Sequence, residues 1–301
     1  MSNIQWTDIT SNPIHLIRED GTHGGHWCEK ISPGCANCYA ETQNQSNYFK
    51  FASHLPYTGK VPQNLIFDEE VMNKLINMRS PKKVFLGSMT DIFGKWVPDE
   101  WIDQIFAYMA IASQHTFQIL TKRPEKMQKY FNDDFRSNRI NEAAYKIDKS
   151  RRIPNIPLPN VWFGTSVENQ KAADDRIPSL LMTPAKIRFL SCEPLLESIE
   201  IYNYLLADND ELGHPGIDCV IVGGESGFKS RPCNIEWIRS IVHQCQRSET
   251  AVFVKQLGSQ ATQSNPYIVD VASTNHQLKL KDRKGGDIYE FPEDLRIRQL
   301  P

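Results

Sequence analysis

Three cysteines, Cys28, Cys35 and Cys38, stand in the stretch Trp27-Cys28-Glu29-Lys30-Ile31-Ser32-Pro33-Gly34-Cys35-Ala36-Asn37-Cys38-Tyr39-Ala40, a Cx6CxxC arrangement on a loop marked by Ser32-Pro33-Gly34. Thiolates are soft ligands suited to iron-sulfur clusters or zinc, and a CxxC turn brings two sulfurs to one centre. A catalytic [4Fe-4S] cluster would take these three sulfurs and leave its fourth iron open to another ligand. A structural zinc would need a fourth protein ligand, because such sites are closed and tetrahedral; His23 and His26 lie close enough in sequence to supply one. Spacing alone leaves both open. A trio of inert core cysteines fits poorly with a loop rich in Pro, Gly, Ser, Asn and Lys.

The rest of the chain must position such a centre. Its 301 residues, 40% hydrophobic and 23% charged, suffice for one large α/β domain or two modest ones. A net charge of -2 gives no global positive field for holding long DNA, although a local basic patch is compatible with it. The N-terminus lacks a basic segment followed by an apolar one, and no apolar run approaches membrane-spanning length, so a cytoplasmic protein without membrane partners is expected. In that compartment the seven cysteines stay reduced, and their odd number argues further against a disulfide framework.

From about residue 80, short β-branched or aromatic runs alternate with segments of helical period, the pattern of a parallel sheet with crossover helices. The expected strands are Lys83–Gly87, Thr116–Leu120, Val161–Gly164, Lys186–Leu190, Cys219–Gly223 and Ala251–Lys255. Between them, Pro98–Ser113 aligns Trp101, Ile105, Met109 and Ala112, and Asn234 caps a helix aligning Trp237, Ile238, Ile241, Val242 and Cys245. The fold class expected is α/β, a barrel of parallel strands and crossover helices with an N-terminal cysteine loop and a C-terminal extension. Its expected bounds are 1–258 for the barrel, including the loop 26–40, and 259–301 for an extension or lid.

Polar clusters close the strands: Ser88-Met89-Thr90-Asp91, Thr121-Lys122-Arg123, Thr165-Ser166-Val167-Glu168, Ser191-Cys192-Glu193 and Gly223-Gly224-Glu225-Ser226-Gly227. Any one reads as a turn or helix cap. Five in succession read as a site, because ligands bind at the carboxyl ends of parallel strands. Residues 132–160 form a polar insertion carrying Arg136, Arg139, Lys146, Lys149, Arg151 and Arg152, a solvated face or a patch for substrate phosphate.

The phrases Gln5-Trp6-Thr7-Asp8, Ser32-Pro33-Gly34-Cys35 to Cys38-Tyr39-Ala40, Leu120-Thr121-Lys122-Arg123-Pro124, Phe163-Gly164-Thr165-Ser166-Val167-Glu168, Ser191-Cys192-Glu193-Pro194 and Val222-Gly223-Gly224-Glu225-Ser226-Gly227 carry a resemblance. From residue 4 to its C-terminus the chain resembles the phage-associated three-cysteine-motif proteins of unknown function. They are similar to radical S-adenosylmethionine (SAM) enzymes, notably the photoproduct-lyase-like branch in which Tyr follows the last cluster cysteine. The resemblance implies a partial (β/α)6-type barrel with an N-terminal cluster-binding loop, a [4Fe-4S] cluster on Cys28, Cys35 and Cys38, SAM as cofactor, and a flavodoxin-like or ferredoxin-like reductant. A cluster loop leading into an α/β barrel is the layout of that group, whereas a zinc knuckle gives no reason for the barrel. The chain departs from the group's usual Cx3CxxC spacing, has Asn37 where an aromatic residue is usual, and carries Gly223-Gly224-Glu225 late in the sequence.

On that reading Ser88, Thr90 and Asp91 meet the methionine moiety of SAM, Ser166 and Glu168 its ribose, and Lys122 or Arg123 its carboxylate or a substrate phosphate. Glu193 belongs to the same strand-end set. Cys192 is a hydrogen-atom donor or, as commonly for a free cysteine, a small core residue. Lys255 and Glu225 are substrate-site candidates or partners of each other, and Gly223 and Gly224 permit close backbone approach to a ligand. Phage association implies a nucleobase, nucleotide or modified DNA as substrate. Two other readings make different predictions: a zinc-stabilised binding module without turnover, and a metal-independent enzyme acting through Asp91, Glu168, Glu193 and Glu225.

Overall fold

A computed structural model describes residues 4–47, 52–150, 153, 156–206, 215–264 and 275–301. Arg151 and Arg152 of the basic insertion lie outside the described residues. The fold is mixed α/β. Its elements begin with β1 (Ile9–Ser11), β2 (Ile14–Leu16), α1 (Tyr39–Gln45), β3 (Leu65–Phe67), α2 (Glu69–Asn77), β4 (Lys83–Leu86), α3 (Asp99–Ile111), β5 (Thr116–Thr121), α4 (Pro124–Phe131) and α5 (Arg136–Ile147). They continue with β6 (Val161–Ser166), α6 (Gln170–Leu181), β7 (Ile187–Cys192), α7 (Tyr202–Leu205), β8 (Cys219–Gly223), β9 (Cys233–Asn234), α8 (Ile235–Arg247), β10 (Ala251–Gln256), β11 (Ala261–Ser264) and β12 (Asn275–Gln277). The main sheet runs β1-β4-β5-β6-β7-β8-β10, with parallel pairing of β1 with β4, β4 with β5, β7 with β8 and β8 with β10.

All six expected strands are present, and β1 adds a seventh at the sheet edge beside β4. The strands of continuous apolar character are buried along almost their whole length, as in β8, where Cys219 to Gly223 are all buried. A parallel sheet covered on both faces requires that pattern.

The chain divides into two compact units, and the division falls inside β6. The first unit contains residues 1–164 with 182–186. Here α3 packs against both α2 and α5, so nine of its side chains are buried rather than one stripe. The polar insertion folds as α5, with Ile140 and Ala144 turned inward. Arg136 is buried with them because Asp99 and Asp103 of α3 receive its guanidinium at 2.9 and 2.8 Å, and Tyr130 lies beneath it at 3.6 Å. Arg139 pairs with Asp133 and Asp103. Of the described cations in that insertion, Lys146 and Lys149 are not tied to α3, and Lys149 is exposed. Two of its arginines thus fasten α5 to α3, which corrects the reading of them as a solvated or phosphate-binding face.

The second unit contains residues 165–181 with 187–301. Asn234 caps α8 as expected, its Oδ1 accepting the Glu236 N–H at 3.0 Å, and Ile238, Ile241, Val242 and Cys245 form the buried stripe. Residues 259–301 belong to this unit, and backbone bonds from Val254 to Ile297 and from Gln299 to Val252 join the C-terminal segment to β10.

Candidate functional site

Cys28, Cys35 and Cys38 are free and half-buried. Pro33–Cys35 forms one 3-10 turn, and Cys38 stands at the cap position before α1. Each sulfur has a polar neighbour. Cys28 accepts the backbone N–H of Asp91, Cys38 accepts those of Ala40 and Glu41, and the Cys35 Sγ lies 3.7 Å from the Ser32 hydroxyl.

Cys28 and Cys38 pack with Trp96 against a buried cluster of Trp27, Ala40, Tyr57 and Met89. Burial pushes the Cys28 thiol up to about 12, helped by the Asp91 charge, while the Asp91 N–H and Arg123 pull the other way. Cys38 is also raised, first by burial. Thiols in this setting shed their protons when a cation compensates the charge, which is what a bound metal does.

The loop is fastened to the carboxyl ends of β4 and β5. Thr90, just past β4, donates its hydroxyl to the Trp27 carbonyl at 2.6 Å. Arg123, just past β5, reaches the Asp91 carboxylate at 3.0 Å through Nη1 and the Glu29 side chain and carbonyl at 3.0 and 3.2 Å through Nη2. Its guanidinium stacks over Trp96, 4.8 Å from the ring centre. Asp91 also accepts from Phe93 N, Thr121 Oγ1 and Lys122 N. Such a carboxylate is fully engaged in holding the loop.

Of the other predicted residues here, Ser88 is half-buried, its hydroxyl meeting the Asn12 side chain and its carbonyl accepting from Tyr39 Oη at 2.7 Å. Lys122 is half-buried beside Asp91. Tyr57, Trp96 and Asn12 carry no motif that marks them in the sequence as site residues, whereas Tyr39 has its place after the last cysteine.

His23 and His26 assemble elsewhere. His23 stacks on His15 with ring centres 3.9 Å apart, and His26 meets His23 edge-on at 5.0 Å. His26 is buried with Nδ1 at 3.1 Å from the Ile14 carbonyl, and His15 binds Asp68 at 2.9 Å. Among the described residues, no group of three or more His, Cys, Asp or Glu side chains stands ready-made to coordinate a metal ion.

In the second unit the strand-end charges pair locally. Glu168 is fully buried and takes Arg176 at 2.7 Å, while the same guanidinium binds the Ser166 carbonyl at 2.8 Å. A ribose reaching this carboxylate would have to displace Arg176. Lys255 pairs with Glu193 at 3.0 Å, and Glu225 accepts Arg231 at 2.7 Å and also its backbone N–H. Lys255 and Glu225, read in the sequence as substrate-site candidates or partners of each other, thus each have a different partner. Cys192 is wholly buried, and burial raises its thiol well above the usual range.

Gly223 and Gly224 admit the chain's own backbone. A Cβ on Gly223 would stand 2.8 Å from the Gln256 carbonyl oxygen, and one on Gly224 would stand 2.3 Å from that of Leu257. The close approach expected for a ligand is made by the segment at the end of β10.

A family model described as "Protein of unknown function (DUF5131)" matches residues 1–290. The chain belongs to that family. Searches of curated proteins and of solved structures each found no match. In this DUF5131 chain one loop carries three soft sulfurs, each with a polar neighbour, and Arg123 stands beside Cys28. The indole N–H of Trp96, packed against the apolar group of Trp27, Ala40, Tyr57 and Met89, is buried without a hydrogen-bond partner, a donor that a bound acceptor would satisfy.

Proposed function

We propose that this DUF5131 protein is a radical SAM enzyme on a partial (β/α)6-type barrel, acting on a nucleobase, nucleotide or modified DNA. Cys28, Cys35 and Cys38 hold a [4Fe-4S] cluster, and a flavodoxin-like or ferredoxin-like protein reduces it. Bound there, the cluster would supply the chemistry of reductive SAM cleavage, with the electron coming from that reductant and the hydrogen atom from the substrate.

The observation that carries this reading is the attachment of the cysteine loop to the carboxyl ends of two adjacent parallel strands. Thr90 bonds the Trp27 carbonyl, and Arg123 joins Asp91 to Glu29. Ligands of parallel α/β proteins bind at those ends. Asp91 orients the loop with its backbone N–H on Cys28 and its carboxylate on Arg123. Ser88 and Lys122 are the groups proposed to meet the amino acid part of SAM. The zinc alternative draws less support, because its candidate fourth ligands His23 and His26 pack with His15.

The test is metal and sulfide analysis of protein purified without oxygen, followed by dithionite and SAM. Iron and sulfide at a cluster's stoichiometry, a brown colour that bleaches on reduction, and 5′-deoxyadenosine as product are expected. Stoichiometric zinc with no iron uptake on reconstitution sinks the proposal in favour of the binding module.

A further inference from the structure

Between β4 and α3 the chain turns around one indole. The Gly94 N–H binds the Asp91 carbonyl at 2.9 Å, and the Val97 N–H binds that of Gly94 at 3.0 Å. Lys126 of α4 places its ammonium in the same turn, donating to the Gly94 and Val97 carbonyls at 2.9 and 2.8 Å. Trp96 lies so close to Gly94 that a Cβ there would stand 2.4 Å from its ring. Trp27 crosses the indole at 82° with ring centres 4.8 Å apart, and the Arg123 guanidinium lies over it, also at 4.8 Å. That guanidinium is itself fixed by Asp91 and Glu29, each at 3.0 Å. A ring held this way holds its one polar atom in place with it.

The position of that atom is unusual. The Trp96 Nε1–H is buried with no hydrogen-bond partner, and an indole nitrogen can only donate. The carbonyls around it already accept elsewhere: Trp27 from Thr90 at 2.6 Å, Met89 from Tyr57 Oη at 2.8 Å and Ser88 from Tyr39 Oη at 2.7 Å. Cys28 and Cys38 pack against the same apolar group as Trp96. Their sulfurs are weak acceptors as thiols and strong ones as metal-bound thiolates. Arg123 above the ring also draws electron density from its face, which makes the N–H a better donor.

We infer that the Trp96 Nε1–H donates a hydrogen bond to sulfur of the centre held by Cys28, Cys35 and Cys38. The centre itself rests on the radical SAM reading of the cysteine loop. A donor to sulfur stabilises the negative charge that one added electron brings, so Trp96 makes a cluster there easier to reduce.

The test uses the full protein prepared without oxygen. Trp96→Phe keeps an aromatic ring beside Gly94 and Arg123 and removes the N–H. It is expected to load iron as the parent does and to favour the oxidised cluster about tenfold more, a potential about 59 mV more negative in an EPR-monitored titration. Gly94→Ala keeps the indole and displaces it, and is expected to shift the potential in the same direction even if Trp96→Phe fails to fold.

Zinc, which binds thiolates without redox chemistry, gives a second readout. In parent protein carrying isotope-labelled tryptophan, the Trp96 indole proton is expected to move downfield on zinc loading, and not to do so in Gly94→Ala. An indole proton that zinc leaves unmoved means that the N–H faces the Trp27 ring, and overturns the donor. Potentials in both variants equal to the parent's overturn it as well. A chain that takes zinc and moves the proton but never loads iron and sulfide sinks the radical SAM reading and leaves the Trp96 donor standing. Iron loading and SAM cleavage with an unmoved proton do the reverse.

Discussion

The cysteines fall into two sets whose surroundings differ in kind. Cys192 in β7, Cys219 in β8, Cys233 in β9 and Cys245 in α8 are buried inside regular structure. Desolvation is the first cause of the raised thiol in each and the sole one for Cys233 and Cys245, which reach about 12. The Cys219 Sγ stands 3.9 Å from the Gln299 carbonyl and the Cys28 Sγ 3.9 Å from that of Glu29, each placed as a thiol donor, so this contact does not separate the sets. Cys28 and Cys38 are also raised by burial, yet backbone N–H groups point at both, and Arg123 stands by Cys28. An N–H pointed at sulfur is wasted on a thiol and stabilises a thiolate. On the proposed reading, burial alone does not mark a ligand, and the N–H groups at Cys28 and Cys38 are what set those two sulfurs apart.

The largest expected effect breaks the loop set. Cys28→Ala, Cys35→Ala and Cys38→Ala should each lose bound iron and abolish 5′-deoxyadenosine formation. Cys192→Ala and Cys245→Ala should keep both and lower stability by about 1–2 kcal/mol for the small cavity. Iron analysis, product chromatography and urea unfolding on the variants read the three quantities. Full iron content in Cys38→Ala would remove the distinction between the sets, and lost product formation in Cys192→Ala with SAM cleavage intact would restore the hydrogen-donor role.

Next in size is the fastening of the loop. Arg123→Met leaves the buried Asp91 carboxylate without its cation and is expected to cost about 3 kcal/mol, much of it recovered in the double variant with Asp91→Asn. Arg123→Lys keeps the charge but cannot span Asp91 and Glu29 with one planar fork, so iron loading should fall even where stability returns. Urea midpoints and iron per chain separate the two effects. The counterpart in the second unit is Glu168→Gln, which strands Arg176 and should destabilise without touching iron content. Equal loss of iron in Glu168→Gln would deny the loop its special attachment.

How much of this was legible in the sequence follows from the range of the interactions. Six strands announce themselves because β-branched and aromatic runs are local, and the Asn234 cap lies two residues from the N–H it binds. The three-residue β1 is too short to show alternation before Pro13. The basic insertion misleads because its acids, Asp99 and Asp103, sit on another helix, 37 and 33 positions away from Arg136. The Gly223-Gly224 pair reads as ligand space because sequence does not say that the end of β10 lies against it. The cysteine loop is legible through the types and spacing of its residues, while the Arg123–Asp91–Glu29 fastening depends on contacts across 32 and 94 positions.

The smallest expected effect concerns the histidines that did not join the cysteines. Burial holds His23 down at about 4, with neighbouring His15 and Arg18 adding to that and Asp68 opposing it. His26 also faces the ring, at 5.0 Å. A histidine with a folded pKa below its unfolded value of about 6.5 binds fewer protons when folded. Its contribution is thus intact above about pH 6.5 and is lost as pH falls towards about 4. His23→Gln keeps an acceptor for the Gly25 N–H and removes the titration. Thermal midpoints between about pH 7 and about pH 5 should therefore fall less steeply for His23→Gln than for the parent chain. Parallel slopes would mean that the His23 proton is as easily bound in the folded protein as in the unfolded one, leaving the stack with His15 as packing alone.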